Sequence, residues 1–254
     1  MKDAKNEVAV IILGAGLGTR MKSDKAKVLH EILQKPMVLY VAETAREIAG
    51  NNVILVIGHQ AEKVRRVVSE KVDVLFALQK EQLGTGHAVL CALPYIPSDV
   101  GQVIILCGDV PLLTENTLRR LYNDHVNAGR DVSILAVEIE NPKGYGRLLI
   151  NENRELTGIV EESDATDEQR KVKLINTGIY CIEKKFLFDS LNEIKSDNVK
   201  GEFYLTDIVE IGYRNKNVMG VMVGDDWKET VGVNTIQDLQ TAESIMRNRM
   251  RNIS

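Results

Sequence analysis

The feature that most constrains this chain is the run Val8 to Leu13 (Val-Ala-Val-Ile-Ile-Leu), which leads straight into Gly14-Ala-Gly-Leu-Gly-Thr-Arg20. A continuous apolar, β-branched run of this length predicts a strand buried on both faces, as in a parallel sheet covered by helices. The loop behind it carries glycines at 14, 16 and 18, where the backbone can approach a ligand and adopt conformations that a Cβ forbids. Successive N–H groups in such a turn cradle anions. The whole chain is acidic, with a net charge of −4, yet Arg20, Lys22, Lys25 and Lys27 outnumber Asp24 across residues 14–27. That local contrast is what polyphosphate binding requires.

The buried-strand pattern recurs at Val53 to Ile57 and Val103 to Cys107, with further strands expected at Val72 to Phe76 and Val132 to Val137. Between them lies Pro36 to Ala49, where Val38, Val41, Ala42, Ala45 and Ile48 form one helical stripe and Gly50 stands beyond the end. Ala61 to Glu70, His87 to Leu93 and Glu115 to Val126 predict more helices. This β-then-α alternation predicts an α/β fold, Rossmann-like, with three α/β/α layers and a mixed, mostly parallel central sheet. The second half reads differently. Gly146 to Ile150 and Leu156 to Val160 flank a polar patch and predict a hairpin. Leu174 to Cys181, helices at Lys185 to Glu193 and Leu205 to Arg214, and Val218 to Val223 follow, so antiparallel strands are expected to join the same sheet. A last helix is expected from after Asn234 to about Met250, with Arg247, Arg249 and Arg251 at the negative end of its dipole.

Composition removes several function classes. An acidic chain is a poor general nucleic-acid binder, so no nucleic-acid partner is expected. No apolar run reaches the roughly 18–20 residues of a membrane helix, and Met1 to Glu7 lacks the apolar core of a signal peptide. Cys91, Cys107 and Cys181 stand alone inside apolar segments, without C-x-x-C spacing. They read as reduced, buried thiols of a cytoplasmic protein.

Two familiar phosphate-binding patterns fail on the glycine loop. A dinucleotide fingerprint puts its third glycine where Thr19 stands, and the Gly-Lys-Ser/Thr of a P-loop is absent. The second constellation is Val103-Ile-Ile-Leu-Cys-Gly-Asp-Val-Pro111. It brings Asp109 to the carboxyl end of a buried strand, where open α/β sheets bind ligands. Gly108 leaves room beside the carboxylate, which either faces a magnesium ion or caps the next helix.

Taken with Lys27-Val-Leu-His30, Gln79-x-x-Gln-Leu-Gly-Thr-Gly-His87, Gly144-Tyr-Gly-Arg147, Ile159-Val-Glu161, Ile175-Asn-Thr-Gly178, Gly201-Glu-Phe-Tyr-Leu-Thr-Asp207 and Gly232-Val-Asn234, these motifs resemble one family over nearly the whole chain. It is the uridylyltransferase part of the bacterial bifunctional enzymes that make UDP-N-acetylglucosamine, within the sugar nucleotidyltransferases. The resemblance implies a nucleotide-diphospho-sugar transferase fold and a cell-envelope precursor as product. UTP and N-acetylglucosamine 1-phosphate would be the substrates, and Mg²⁺ the cofactor.

Site residues follow from the same resemblance. Arg20 and Lys27 would be catalytic. Leu13, Gly14, Ala15 and Gly16 would hold the nucleotide, with Gln79, Gly84 and Thr85 at the base and Cys107, Gly108 and Asp109 beyond. Gly146, Glu161, Asn176, Tyr204, Thr206 and Asn234 would surround the sugar, and Asp109 with Asn234 would bind the metal. Each has a plainer reading on its own. Thr85 suits a helix cap, Asn234 likewise, Tyr204 and Thr206 can simply begin a helix, and Glu161 leads an acidic face.

One domain is expected over 1–254, with a nucleotide-binding half at about 8–110, a sugar-binding half at about 111–235 and a closing helix at 236–254. Gly14 and Ala26 depart from the family's usual alanine and proline. The hexapeptide repeats of the family's acetyltransferase domain are absent from the sequence. A truncated piece, a stand-alone enzyme and a homo-oligomer all stay open. So do two other functions: the same chemistry on glucose 1-phosphate with UTP or dTTP, and a non-catalytic nucleotide-sugar sensor.

Overall fold

The computed structural model describes residues 7–251. Its framework is a nine-stranded sheet, seven of whose strands run in the order β11-β7-β10-β6-β1-β4-β5. These are β1 (Val8–Leu13), β4 (Val53–Ile57), β5 (Leu75–Leu78), β6 (Gln102–Cys107), β7 (Val132–Glu138), β10 (Leu174–Glu183) and β11 (Met219–Val223). The hairpin β8 (Arg147–Ile150) and β9 (Leu156–Val160) joins through a β8–β10 pairing at Arg147 and Ile175. A small separate ribbon is made by β2 (Glu31–Ile32) and β3 (Lys35–Pro36).

The apolar runs are continuous because both faces of the sheet are covered. Val10 and Ile12 of β1 face one core with α1 (Met37–Ala49), α2 (Ala61–Ser69) and α4 (Glu115–Asn127). Ala9 and Ile11 face the other, with α3 (Thr85–Ala92), α5 (Lys184–Leu191) and α6 (Asp207–Arg214). This is the expected three-layer α/β/α arrangement. A third cluster, with Ile32, Met37, Leu112 and Val233, packs under Ala242 of α7 (Ile236–Arg251). Arg249 of α7 donates to the Leu112 carbonyl at 2.7 Å, which ties the last helix to the loop after β6. No helix among the described residues is long and apolar enough to cross a membrane. Met1 to Asn6, and the closing three residues of the expected 236–254 helix, lie outside the described residues.

Strand order reverses between β1 and β6. From β1 the chain builds outward to β4 and β5, all parallel, then returns to place β6 against the opposite edge of β1. Leu13 and Cys107 are register partners, so both strands end side by side at the switch point.

Three features depart from the sequence reading. The strand expected at Val72 to Phe76 lies at Leu75–Leu78; Val72 and Val74 are buried, but in the turn after α2. Apolar content located the core there without locating the pairing with β4. β10 is antiparallel to both its neighbours, as expected of the second half, but β11 departs by running parallel to β7. The helix expected from His87 begins at Thr85, because Gly84 takes the cap position with φ +111°, a conformation closed to most side chains.

Candidate active site

The glycine loop leaves β1 at the switch point and is held from both sides. Gly14 N–H donates to the Val56 carbonyl and Gly108 N–H to the Leu13 carbonyl, each at 2.9 Å. A Cβ at Gly108 would stand 3.1 Å from that same carbonyl oxygen. The two glycines therefore let β1 and β6 stay close as they end. Beyond them opens a cleft of about 450 Å³, lined by Leu13, Gly14, Ala15, Gly16, Lys27, Gln79, Gly84, Thr85, Cys107 and Asp109. The sequence reading had drawn all ten from separate motifs.

At the cleft, four side chains meet. The Lys27 ammonium forms an ion pair with Asp109 Oδ2 and donates to Asn234 Oδ1 at 2.6 Å. Arg20 donates to the same Asn234 oxygen at 2.7 Å. Asp109 and Asn234 come from distant parts of the chain, and Val233 N–H fastens them by donating to the Asp109 carbonyl at 2.9 Å. Asn234 is not the helix cap. Thr235 and Asp238 form a reciprocal capping box, in which Asp238 N–H meets Thr235 Oγ1 at 3.1 Å and Thr235 N–H meets Asp238 Oδ2 at 2.8 Å. The Asn234 amide is thereby left for Lys27 and Arg20.

The expected sugar residues form an adjoining group. A bulge in β10 between Asn176 and Ile179 interrupts its register with β7. Bulges re-aim side chains beside functional sites. Within it, Gly178 (φ +77°) donates to Asn176 Oδ1 at 3.0 Å and lies against Cys107, where a Cβ would come 2.7 Å from the sulfur. Burial, and next the Asp109 carboxylate, push the Cys107 thiol up to about 12, so this cysteine is a neutral wall of the cleft. Gly146 accepts from Asn176 N–H at 2.9 Å and faces Glu161, whose Oε2 would be 3.5 Å from a Cβ at that glycine. Glu161 accepts from the Thr206 hydroxyl at 3.2 Å; burial raises its pKa and that bond partly offsets the rise.

Thr206 thus points at Glu161 and forms no side-chain cap, although it precedes α6. Thr85 is also no cap: it is the first residue of α3, and its hydroxyl accepts from Leu205 N–H at 2.9 Å. Tyr204 joins the group through Glu161. It lines a second cavity of about 510 Å³ between β9 and α6, which Glu161 also borders.

Several neighbours escaped the sequence reading. Gln82 and Glu202 line the nucleotide-side cleft. Tyr145 lies close enough to Asp238 and Asp109 for their charges, after burial, to raise its pKa. Buried Arg147 donates to the Tyr145 carbonyl and, at 2.7 Å, to Glu162, which also accepts from Gly144 N–H at 3.1 Å. That carboxylate is held below its usual range because these bonds outweigh the burial penalty. All five residues sit inside or beside quoted motifs, which is the signal that could have found them.

Among the described residues, no group of three or more His, Cys, Asp or Glu is arranged to hold a metal. The pair available is one carboxylate and one amide, Asp109 and Asn234.

A cleft at the switch of a mostly parallel sheet, with a glycine loop and converging cations, is the architecture of a nucleotide-handling transferase. The nucleotidyl transferase family model matches residues 9–247, and the chain belongs to that family. It is similar to the bifunctional protein GlmU of Caldanaerobacter subterraneus subsp. tengcongensis, with 45% identity over 96% of this chain and 52% of that protein. It is also similar to the bifunctional protein GlmU of Pelobacter propionicus, with 46% identity over 96% of this chain and 53% of that protein. The chain thus spans about half the length of these curated relatives. In fold it resembles a Bacillus anthracis protein described as a candidate glucose-1-phosphate thymidylyltransferase, with TM-score 0.77 and 19% identity over 94% of this chain and 95% of that one. HddC from Yersinia pseudotuberculosis shares the fold too, with TM-score 0.68 and 24% identity over 94% and 99% of the two chains.

Proposed function

We propose that this chain transfers a uridylyl group from UTP to N-acetylglucosamine 1-phosphate, giving UDP-N-acetylglucosamine and pyrophosphate. The observation that carries the reading is the meeting of Lys27, Arg20, Asp109 and Asn234 beside the glycine-lined cleft. The likeness to the GlmU proteins supports it.

A phosphate oxygen of the sugar phosphate attacks the α-phosphorus of UTP in line, the bond from that phosphorus to its bridging oxygen breaks, and pyrophosphate departs. The attacking oxygen is already anionic, so no general base is required. Repulsion between two anions is the obstacle, and the work falls to positioning and charge neutralisation. Lys27 and Arg20 offset charge on the phosphates, while the glycine-loop N–H groups orient them. Gln79, Gly84 and Thr85 meet the base. Gly146, Glu161, Asn176, Tyr204 and Thr206 hold the sugar, with the Glu161 carboxylate accepting from hydroxyls.

Asp109 and Asn234 would hold Mg²⁺. Their side-chain oxygens accept from one and the same ammonium, so a single cation reaches both. One carboxylate and one amide oxygen suit a hard ion whose other positions go to water and phosphate oxygens. Bound there, the ion supplies electrostatic stabilisation to the phosphates. On this reading the chain acts as one catalytic domain, in the cytoplasm.

Pyrophosphate release across a panel of nucleoside triphosphates and sugar 1-phosphates tests the proposal. The largest kcat/KM is expected for UTP with N-acetylglucosamine 1-phosphate; no release with any pair refutes the transferase reading. Maximal turnover with glucose 1-phosphate and UTP or dTTP would replace the substrates and keep the chemistry. The fold likeness to the Bacillus anthracis protein is the observation behind that second reading.

A further inference from the structure

We propose that Arg147 is the positioning residue of the sugar side, its buried guanidinium setting the Tyr145–Gly146 peptide so that Gly146 N–H is offered to the sugar. The inference rests on the reading above, in which Gly146, Glu161 and Asn176 hold the sugar.

Arg147 ends the motif Gly144-Tyr-Gly-Arg147, of which only Gly146 has a part in the proposed reaction. It is the first residue of β8 and is 1% exposed. Its register partners are Val160 in β9 and Ile175 in β10. Gly146, Glu161 and Asn176 are thus each one residue away from Arg147 or from a residue paired with it. Among the described residues, Arg147 and Ile175 form the single register pair between β8 and β10, so the hairpin meets the main sheet at this point.

Burying a guanidinium is unfavourable unless its donors are matched, and here Nε has no partner among the described residues. The other two nitrogens hold the loop. One donates to the Tyr145 carbonyl and the other to Glu162 Oε2 at 2.7 Å, an oxygen that also accepts from Gly144 N–H at 3.1 Å. The following peptide is pinned as well, since Asn176 N–H donates to the Gly146 carbonyl at 2.9 Å. Both peptides that flank Gly146 are therefore fixed.

The Tyr145–Gly146 peptide is trans, so its carbonyl and its N–H point in opposite directions. With the carbonyl turned to the guanidinium, the Gly146 N–H is turned away from it, and it has no partner among the described residues. Beside it stands the Glu161 carboxylate, 3.5 Å from where a Cβ at Gly146 would be. A donor next to an acceptor suits the neighbouring hydroxyls of a sugar ring, each of which both donates and accepts. Without Arg147 the peptide is free to rotate. About one hydrogen bond to the sugar is then lost, roughly three- to tenfold in affinity. UTP is met by the glycine loop and α3, so its affinity should stay.

The test is KM for N-acetylglucosamine 1-phosphate and for UTP, measured by pyrophosphate release on the wild type, Arg147→Met, Arg147→Lys and Glu162→Ala. Arg147→Met should raise KM for the sugar phosphate about three- to tenfold and move KM for UTP less than about twofold. Arg147→Lys, which keeps a donor for the Tyr145 carbonyl, should recover most of the loss. Glu162→Ala removes the anchor from a partly exposed position, should change the same KM in the same direction, and serves if methionine disturbs the fold. A purely structural role would move both KM values together or neither, which overturns the proposal. So does a lysine variant no better than the methionine one. Calorimetry with UDP-N-acetylglucosamine and UTP in magnesium chloride, on the same samples, separates the two readings. Selective weakening of the nucleotide-sugar in Arg147→Met without turnover in the wild type sinks the transferase reading alone. Turnover with an unmoved KM ratio sinks this inference alone, and a wild type that binds neither compound sinks both.

Discussion

Gly178→Ala isolates the bulge that joins the two halves of the site. Two costs can be worked out from its surroundings. The backbone stands at φ +77°, where an L side chain costs about 1–2 kcal/mol. The new methyl group would also lie 2.7 Å from Cys107 Sγ, so the sulfur or the bulge must give way, at about 1–3 kcal/mol. Together the loss is about 2–5 kcal/mol, nearer the lower figure if the thiol rotates aside. Cys107→Ala keeps the Cβ and removes the sulfur, which leaves only the backbone cost in the double variant. A cycle of urea unfolding on the wild type, both single variants and the pair should give a coupling of about 1–3 kcal/mol. Because Gly178 N–H holds Asn176 Oδ1, the proposed function predicts that Gly178→Ala also raises KM for the sugar phosphate more than for UTP. Equal losses with and without the sulfur, or a Gly178→Ala protein within about 0.5 kcal/mol of wild type, would refute this account.

Other outcomes follow from the same geometry. On the proposed function, Asp109→Ala should keep its circular dichroism yet lose about a hundredfold to a thousandfold in pyrophosphate release; wild-type turnover in magnesium would refute the proposed metal role of Asp109. Arg147→Gln takes the donor from the Tyr145 carbonyl and from Glu162, and should cost about 2–3 kcal/mol in urea unfolding, since Glu162 keeps some contact with water; an unchanged midpoint would show the clamp to be idle. His125 is buried between Ser133 Oγ and Gln102 Oε1, each at 2.9 Å, and burial lowers its pKa from 6.5 to about 4. The unfolded chain then binds the extra proton across that window, so stability should fall as pH drops from about 6.5 to 4, by on the order of 2–3 kcal/mol. In His125→Gln that slope should flatten, and an equal slope in unfolding experiments from pH 4 to 7 would assign it to other groups.

Much of the fold was legible because burial on both faces writes itself into the chain. β1 was read to the residue, and β6 to within one. The cleft residues were legible through glycines and motif order, since a backbone that must approach phosphate leaves few alternatives to glycine. What stayed hidden was set by contacts between distant segments. Nothing local in Leu174 to Glu183 declares that β10 will lie between β6 and β7, or in Met219 to Val223 that β11 will run parallel to β7. Asn234 and Thr235 are both good caps, and only the approach of Lys27 and Arg20 decides which one is spent on the helix. The β5 boundary depended on pairing with β4, not on hydrophobicity.

Arg20 and Asn234 touch across 214 positions of sequence. On a ribosome adding about 5–20 residues per second, the glycine loop would wait on the order of ten seconds or more for its last companion to emerge. A nascent chain cut short after α6 would lack the edge strand β11, the closing helix α7 and, with Asn234, the far rim of the cup.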